Sequence, residues 1–180
     1  GAMLTGVFNR LARSAFYGVA VKEGDESPYR TGCIPAGAPS AKVSAETEQA
    51  ILAFEQAMHT FELHHALGVC DEFLRAANKR WSDASKAAKN AEDDKLMTQA
   101  LVDAFHELRA ATVLMHGIVP SGCEKICEHF AIAPEVFFSW EHIFETCDEL
   151  VAELGEQAGT HAIKVLPPRF DFFEKHPSQY

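Results

Sequence analysis

The chain contains 180 residues, of which 47% are apolar, enough for a single domain with its own hydrophobic core. No apolar run approaches the ~20 residues of a membrane-spanning helix, so the sequence predicts no membrane contact. The net charge of −10 argues against a general nucleic-acid binder, because a polyanion is repelled by an acidic surface.

The N-terminal quarter of the sequence predicts one helix followed by a long loop. Residues 1–3 are interpreted as a tag remnant, and the helical pattern that follows at once suggests a domain taken from a longer protein. Residues 4–21 carry apolar side chains at helical spacing. Residues 22–43 are rich in glycine and proline, which predicts an irregular loop that is either functional or partly disordered.

Three longer helices are predicted in the middle of the chain. Ser44 is expected to cap the first of them, which breaks or bends near His64. The next helix runs to about Ala88, and a fourth covers residues 93–118. Their apolar residues recur at alternating steps of three and four, which is typical of helices in a bundle.

Two shorter helices and a tail are predicted after Pro120. Ser121 and Glu124 have the spacing of a capping box, which would begin a helix over residues 121–130. A linker is predicted at Pro134, followed by another helix that runs to about Leu154. No strand pattern is convincing, so the predicted fold is an all-α bundle of about five to six helices.

The predicted bundle spans residues 4–163, and residues 164–180 form an extended C-terminal tail. Three prolines prevent the tail from continuing a helix. Its three phenylalanines predict that it packs back onto the bundle or onto a neighbouring domain.

Positive charge is concentrated in part of this acidic chain. Residues 75–89 contain five basic side chains and one acidic side chain, whereas residues 126–163 contain eight acidic side chains and no lysine or arginine. A solvated helix face is the ordinary explanation of such a run. Clustering within an acidic chain also makes phosphate contact plausible, with Lys79, Arg80 and Lys86 as possible RNA contacts.

Asn9 and Arg13 lie one helical turn apart and would face the same direction. An amide can read the edge of an unstacked base, and a guanidinium can stack on that base or hold its phosphate. A solvated polar face is the alternative. Together with residues 77–81 (ANKRW) and the 114–126 joint, this pair resembles the C-terminal anticodon-binding domain of methionyl-tRNA synthetases, members of class I.

The resemblance covers most of the chain and implies a helical domain that recognises a methionine tRNA with a CAU anticodon. It implies that Asn9 and Arg13 contact the anticodon, that the catalytic domain of the parent protein is a further partner, and that residues 164–180 form a linker. The nucleotide-binding signatures of the class I catalytic domain are missing from the sequence. We therefore expect this chain alone to have no aminoacylation activity.

One departure from the family concerns the aromatic residue that stacks on an anticodon base. That tryptophan lies some nine residues after the position of Asn78, where this chain has Ala87. Either Trp81 replaces the stacking platform, or anticodon reading is altered or lost. Trp81 also continues an apolar helical stripe, which favours a core position.

Cysteine and histidine spacing suggests a zinc site only weakly. Cys123, Cys127 and His129 could share a helix face, but no fourth ligand is evident, and buried thiols are the favoured interpretation. The sequence therefore predicts no metal and no cofactor. The five irregularly spaced cysteines predict a reducing, cytoplasmic environment.

Two hypotheses from different classes remain open. The first is a tRNA-recognition domain of a methionyl-tRNA synthetase or synthetase-like protein. The second is a synthetase-derived interaction module that has lost tRNA reading. They differ in whether Asn9, Arg13 and the 75–89 basic face are exposed on a common surface.

Overall fold

The computed structural model describes residues 2–179 and confirms the all-α fold class. Within this part of the chain there are seven α-helices and no strand, apart from one isolated bridge between Cys33 and Ala162. None of these helices combines the length and the apolar character that crossing a bilayer requires. The helices are α1 (Asn9–Val19), α2 (Ala41–His59), α3 (Leu63–Asn90), α4 (Asp94–His116), α5 (Pro120–Phe130), α6 (Pro134–Phe137) and α7 (Cys147–Glu153).

The bundle is built around α4, which is buried along most of its length. It packs against α1, α2, α3 and α5, and α3 also packs against α2. Asp93 caps its N-terminus, because the Asp93 Oδ1 accepts from the amides of Lys95 (2.9 Å) and Leu96 (3.1 Å). A polar residue that satisfies two free amides fixes where this central helix begins.

The N-terminal region begins with a π-helical turn, Met3–Phe8, that continues directly into α1. Met3, assigned from sequence to a tag remnant, packs partly buried against the core. The loop between α1 and α2 is tied down by backbone hydrogen bonds to residues 159–163, including Ile34 N to His161 O at 3.0 Å. Ile34 is fully buried, so the loop contributes to the core.

Two predicted helix starts need correction. Helix α2 begins at Ala41 rather than at Ser44, because Ser40 takes an extended conformation and is held by Asp103, its amide donating to Oδ1 at 2.7 Å. Helix α5 begins at Pro120, which suits the first turn because its missing N–H would have no partner there. Ser121 therefore makes no capping hydrogen bond, and the predicted capping box is wrong.

The continuous helix predicted after a linker at Pro134 and running to about Leu154 is also wrong. The chain instead forms α6, a 3₁₀ turn over Trp140–His142, and α7, which Thr146 caps. The guanidinium of Arg109, from α4, is buried among them. It donates to the carbonyl oxygens of Phe137 (2.8 Å), His142 (2.6 Å) and Ile143 (3.2 Å). Those carbonyl oxygens accept hydrogen bonds from Arg109 instead of from the backbone amides of a continuous helix.

The C-terminal tail packs back onto the bundle, which is the first of its two predicted arrangements. Phe172 is 2% exposed and Phe173 is 7% exposed, and both belong to the same core as α1 and α4. Leu166 is buried in that core as well. Residues 164–173 therefore form a structural part of the domain.

Candidate nucleic-acid interface

Asn9 lies beneath the C-terminal tail with its side chain fully engaged. The residue is 1% exposed. Its Nδ2 group donates to the carbonyl oxygens of Phe173 (2.9 Å) and Thr5 (3.2 Å). Its Oδ1 accepts from the backbone amides of Phe172 and Phe173, each at 3.0 Å. These are the donor and acceptor groups that would otherwise be presented to a base.

Arg13 and Tyr17 continue this contact along the same side of α1. The Arg13 guanidinium is paired with the Asp171 carboxylate at 3.0 Å, in a partly exposed position. The Tyr17 hydroxyl donates to the carbonyl oxygen of Pro167 at 2.6 Å and accepts from the Phe170 amide at 3.3 Å. Asn9, Arg13 and Tyr17, each four residues apart, together form the tail-anchoring face.

Aromatic packing holds the tail on this face. The Phe173 ring stacks on Phe8 with a centroid distance of 4.7 Å, and the Phe172 ring lies 5.9 Å from that of Phe16. Phe173 also lies directly against Gly122 in α5. A Cβ atom at position 122 would be 2.2 Å from the Phe173 ring, so only glycine leaves room for the ring. We call this position of the ring against Gly122 the Phe173 seat.

Arg80 is partly buried and belongs to a charge network with two glutamates. Its guanidinium pairs with the carboxylates of Glu46 in α2 and Glu107 in α4. Glu107 is 1% exposed. Burial raises its pKa to about 7, and the hydrogen bond from Arg80 opposes that rise. Both partners of Arg80 are intramolecular, so its availability to a phosphate is low.

Trp81 packs partly buried against the core, as its position in an apolar stripe suggested. A Cβ atom added to Gly18 of α1 would lie 3.5 Å from the Trp81 ring, so the two helices approach closely there. The ring also lines a cavity of about 220 Å³ together with Arg80, Asp103 and Glu107. An accessible stacking surface at Trp81 is therefore limited to the part of the ring that faces this cavity.

A second polar surface lies between α1 and α3, and we call it the basic groove. It has a volume of about 450 Å³. Its lining comprises Val7, Arg10, Arg75, Asn78, Lys79, Ser82 and Asp83. Arg10, Arg75 and Lys79 are exposed, and Arg10 has no carboxylate partner among the described residues. Three cationic side chains from two helices thus meet around one depression.

The groove is held in shape by Asn78 and partly neutralised by acids. The Asn78 Nδ2 group donates to the Val7 carbonyl oxygen at 2.8 Å, which fixes α3 against the π-helical turn that leads into α1. Arg75 pairs with Asp71 at 3.0 Å, and Lys79 pairs with Asp83 at 2.9 Å. Both pairs are exposed, so each is weak and can be exchanged for another anion.

The groove brings together some of the predicted RNA contacts and not others. Lys79 lines it, and Lys86 lies exposed farther along α3. Arg80 faces the buried network instead. Arg10 was not among the predicted RNA contacts, although it lies next to Asn9. Its signal in the sequence is a position on the side of α1 that faces the basic helix α3.

The contacts of Cys123, Cys127 and His129 favour buried thiols over the weakly suggested zinc site. Cys123 and Cys127 are buried, as predicted. The Cys127 thiol donates to the Ile132 carbonyl oxygen at 3.3 Å, and the His129 Nδ1 contacts the Lys164 carbonyl oxygen at 2.8 Å. Burial raises the pKa of Cys127 to about 12, so this thiol stays protonated at neutral pH.

Comparison with known proteins adds no family assignment. No protein-family model matches this sequence, and no curated protein is significantly similar to it. Functional inference for this chain therefore rests on the geometry and charge of its surfaces and on the resemblance of its motifs.

Proposed function

We propose that this chain binds RNA through the basic groove, and that the RNA is the anticodon stem-loop of a tRNA. The observation that carries the proposal is the convergence of Arg10, Arg75 and Lys79 from two helices. The chain as a whole has a net charge of −10, so most other surfaces repel a polyanion. A local cluster of exposed cations, of which Arg10 has no carboxylate partner among the described residues, is where phosphates would be held.

Arg10 is expected to be the strongest contact. Its guanidinium gives up no intramolecular ion pair on binding, because no described carboxylate contacts it. Arg75 and Lys79 exchange Asp71 and Asp83 for phosphates, which reduces their net gain. Guanidinium groups also bind phosphates in a bidentate manner, which helps to fix the position of the RNA backbone.

The identity of the RNA comes from the resemblance to methionyl-tRNA synthetases. In that family the corresponding domain recognises a methionine tRNA with a CAU anticodon. The catalytic domain would belong to a longer, cytoplasmic parent protein, a methionine–tRNA ligase or a relative. This chain would position the tRNA for that domain and catalyse nothing by itself.

Base reading by Asn9 and Arg13 remains a separate part of the proposal. Both side chains are held by the tail, so base contact requires the tail to leave the tail-anchoring face. Exposing Phe172 and Phe173 would cost several kcal/mol, because burying one phenylalanine contributes roughly 1.5–3 kcal/mol. Phosphate binding in the basic groove needs no such change and is expected to dominate.

The alternative is a synthetase-derived protein-interaction module that has lost tRNA reading. One observation favours it: the side chain of Asn9 is satisfied within the chain, with four hydrogen bonds to backbone groups. In a domain that uses this side chain to hold its own tail, the side chain has no free donor or acceptor for an anticodon base.

The test is the affinity of the domain for a fluorescent CAU anticodon stem-loop, with a GAU stem-loop as the comparison, measured at low and moderate salt. We expect Arg10→Glu and Lys79→Glu to weaken binding about tenfold each and to reduce the salt dependence. Lys95→Glu changes the net charge equally but lies outside the groove, so it should have little effect.

Equal losses in all three variants would indicate non-specific attraction and contradict the groove. Preference for the CAU loop that Asn9→Ala removes would establish base reading through the tail-anchoring face. Failure of either loop to bind, also in the full-length parent, would contradict RNA binding and favour the interaction module.

A further inference from the structure

One group of three potential metal ligands occurs in the described part of the chain, far in sequence from the basic groove. It consists of His142, Glu145 and Glu153, whose ligand atoms all lie within 4.8 Å of one another. His142 and Glu145 lie on the segment that follows α6, and Glu153 is the last residue of α7. Two of the three side chains are about three-quarters buried, whereas Glu153 is exposed.

The segment that carries the two partly buried ligands is held in position by α4. Arg109 donates to the backbone carbonyl oxygens of His142 at 2.6 Å and of Ile143 at 3.2 Å. The His142 Nδ1 lies 2.8 Å from the Glu145 Oε1. Ligands that are already ordered bind an ion without a further loss of conformational freedom, as supported metal sites do.

The local charge also favours a cation. Three carboxylates, those of Glu141, Glu145 and Glu153, lie near His142, and the guanidinium of Arg109 contacts the backbone of the same segment. Glu153 lies at the C-terminal end of α7, where the helix dipole attracts positive charge. The Glu145 Oε2 is inaccessible to solvent and has no hydrogen-bond donor among the described residues. A buried carboxylate oxygen without a partner is costly unless something positive contacts it.

We propose that His142, Glu145 and Glu153 bind one divalent transition-metal ion of the Zn²⁺ class. One imidazole and two carboxylates are ligands that suit Zn²⁺, Co²⁺ or Ni²⁺, whereas Mg²⁺ and Ca²⁺ prefer oxygen ligands alone. Three protein ligands leave a fourth position for water on the exposed side. The ion would tie the segment after α6 to the end of α7.

Binding requires the neutral imidazole of His142, because a protonated ring nitrogen has no lone pair to give to the ion.

The test is a titration of the metal-free chain with CoCl₂, followed by visible absorption, with ZnCl₂ as the competitor. We expect one ion per chain, with no thiolate charge-transfer band, and displacement by Zn²⁺ but not by Mg²⁺. Glu153→Gln should weaken binding at least tenfold. Because Glu153 is exposed, this variant should fold normally, which circular dichroism without metal can verify.

The matched control is His116→Asn. His116 also pairs with a carboxylate, Glu124 at 3.3 Å, but the described residues provide no third ligand there. Its cobalt affinity should equal that of the unaltered chain, whereas His142→Asn should abolish binding. Absence of a bound ion, a thiolate band, or undiminished affinity in Glu153→Gln would overturn the proposal.

Discussion

Two neighbouring sides of α1 each carry an arginine, yet the surroundings of Arg10 and Arg13 are opposite in kind. The tail-anchoring face (Asn9, Arg13 and Tyr17) has partners within the chain for all of its side chains. Arg10, one residue from Asn9, faces the basic groove and has no intramolecular carboxylate partner. Helical spacing identifies residues that share a side, but only tertiary packing determines whether that side meets water, RNA or the chain itself.

Among the variants that test this difference between the two sides of α1, Asn9→Ala is expected to have the largest effect. It leaves the amides of Phe172 and Phe173 without their buried acceptor, at a cost of roughly 1–3 kcal/mol for each unsatisfied group. We expect the free energy of unfolding to fall by about 3 kcal/mol in urea denaturation. Arg10→Ala is the control and should leave the stability unchanged. A stable Asn9→Ala protein would show that the tail does not depend on this residue.

The second prediction separates Arg80 from the exposed basic residues through the pH dependence of stability. Burial raises the pKa of Glu107 to about 7, above its ordinary 4.5, so the stabilisation associated with its proton is lost as the pH rises through 7. Burial lowers the pKa of His106 to about 4 from 6.5, so its contribution is lost as the pH falls through 4. The two contributions oppose each other between pH 4.5 and 6.5.

When one of these two side chains is replaced, the pH dependence of stability caused by the other should become visible. We expect Glu107→Gln to gain about 2–3 kcal/mol of stability relative to the unaltered chain between pH 4.5 and 7. His106→Leu should show a trend of the opposite sign between pH 4 and 6.5. Thermal unfolding monitored by circular dichroism over this range measures both. Parallel pH profiles for all three proteins would contradict the raised pKa of Glu107 and the lowered pKa of His106.

The third prediction uses two glycines in helices. Gly122→Ala places a methyl group 2.2 Å from the Phe173 ring, so the ring must leave its seat. We expect a loss of about 2 kcal/mol from overpacking. Gly68→Ala in α3 is the matched control, since nothing lies within 4 Å of its Cβ position, and it should stabilise the chain by roughly 1 kcal/mol. Urea midpoints that shift in the same direction for both variants would contradict the packing of Phe173 against Gly122.

The smallest effect is expected from Arg13→Ala. The Arg13–Asp171 pair is partly exposed, and such pairs contribute roughly 0.2–1 kcal/mol. The variant should lose less than 1 kcal/mol of stability and keep most of its affinity for the stem-loop. Arg10→Ala should do the reverse, with unchanged stability and weaker RNA binding. If Arg13→Ala impaired RNA binding more than Arg10→Ala, the roles of the two sides of α1 would be exchanged.

The sequence predicted the long helices because their apolar periodicity is strong and local. Helices α3 and α4 lie close to their predicted bounds, and Asp93 ends up as a cap at the predicted start of α4. The region after Pro134 was predicted poorly, because Arg109, from another helix, takes the carbonyl groups that a continuous helix would use. No local pattern contains that information.

The candidate site was predicted in part for the same reason. Lys79 and Arg75 follow from charge clustering on one helix. The burial of Asn9 follows from a contact with Phe173, 164 residues away in sequence, which spacing alone does not indicate. Arg80 shows the same limit, since a basic residue in a basic stretch was drawn inward by the buried Glu107.

The most direct test of the proposed division between the two sides of α1 is an NMR titration of the ¹⁵N-labelled chain with the CAU stem-loop. We expect shifts to concentrate on the amides of Arg10, Lys79 and Ser82, whereas the hydrogen-bonded amides of Phe172 and Phe173 stay in place. Large shifts or loss of protection at Phe172 and Phe173, with little change around Arg10, would show that the RNA displaces the tail. That result would contradict the basic groove as the binding site.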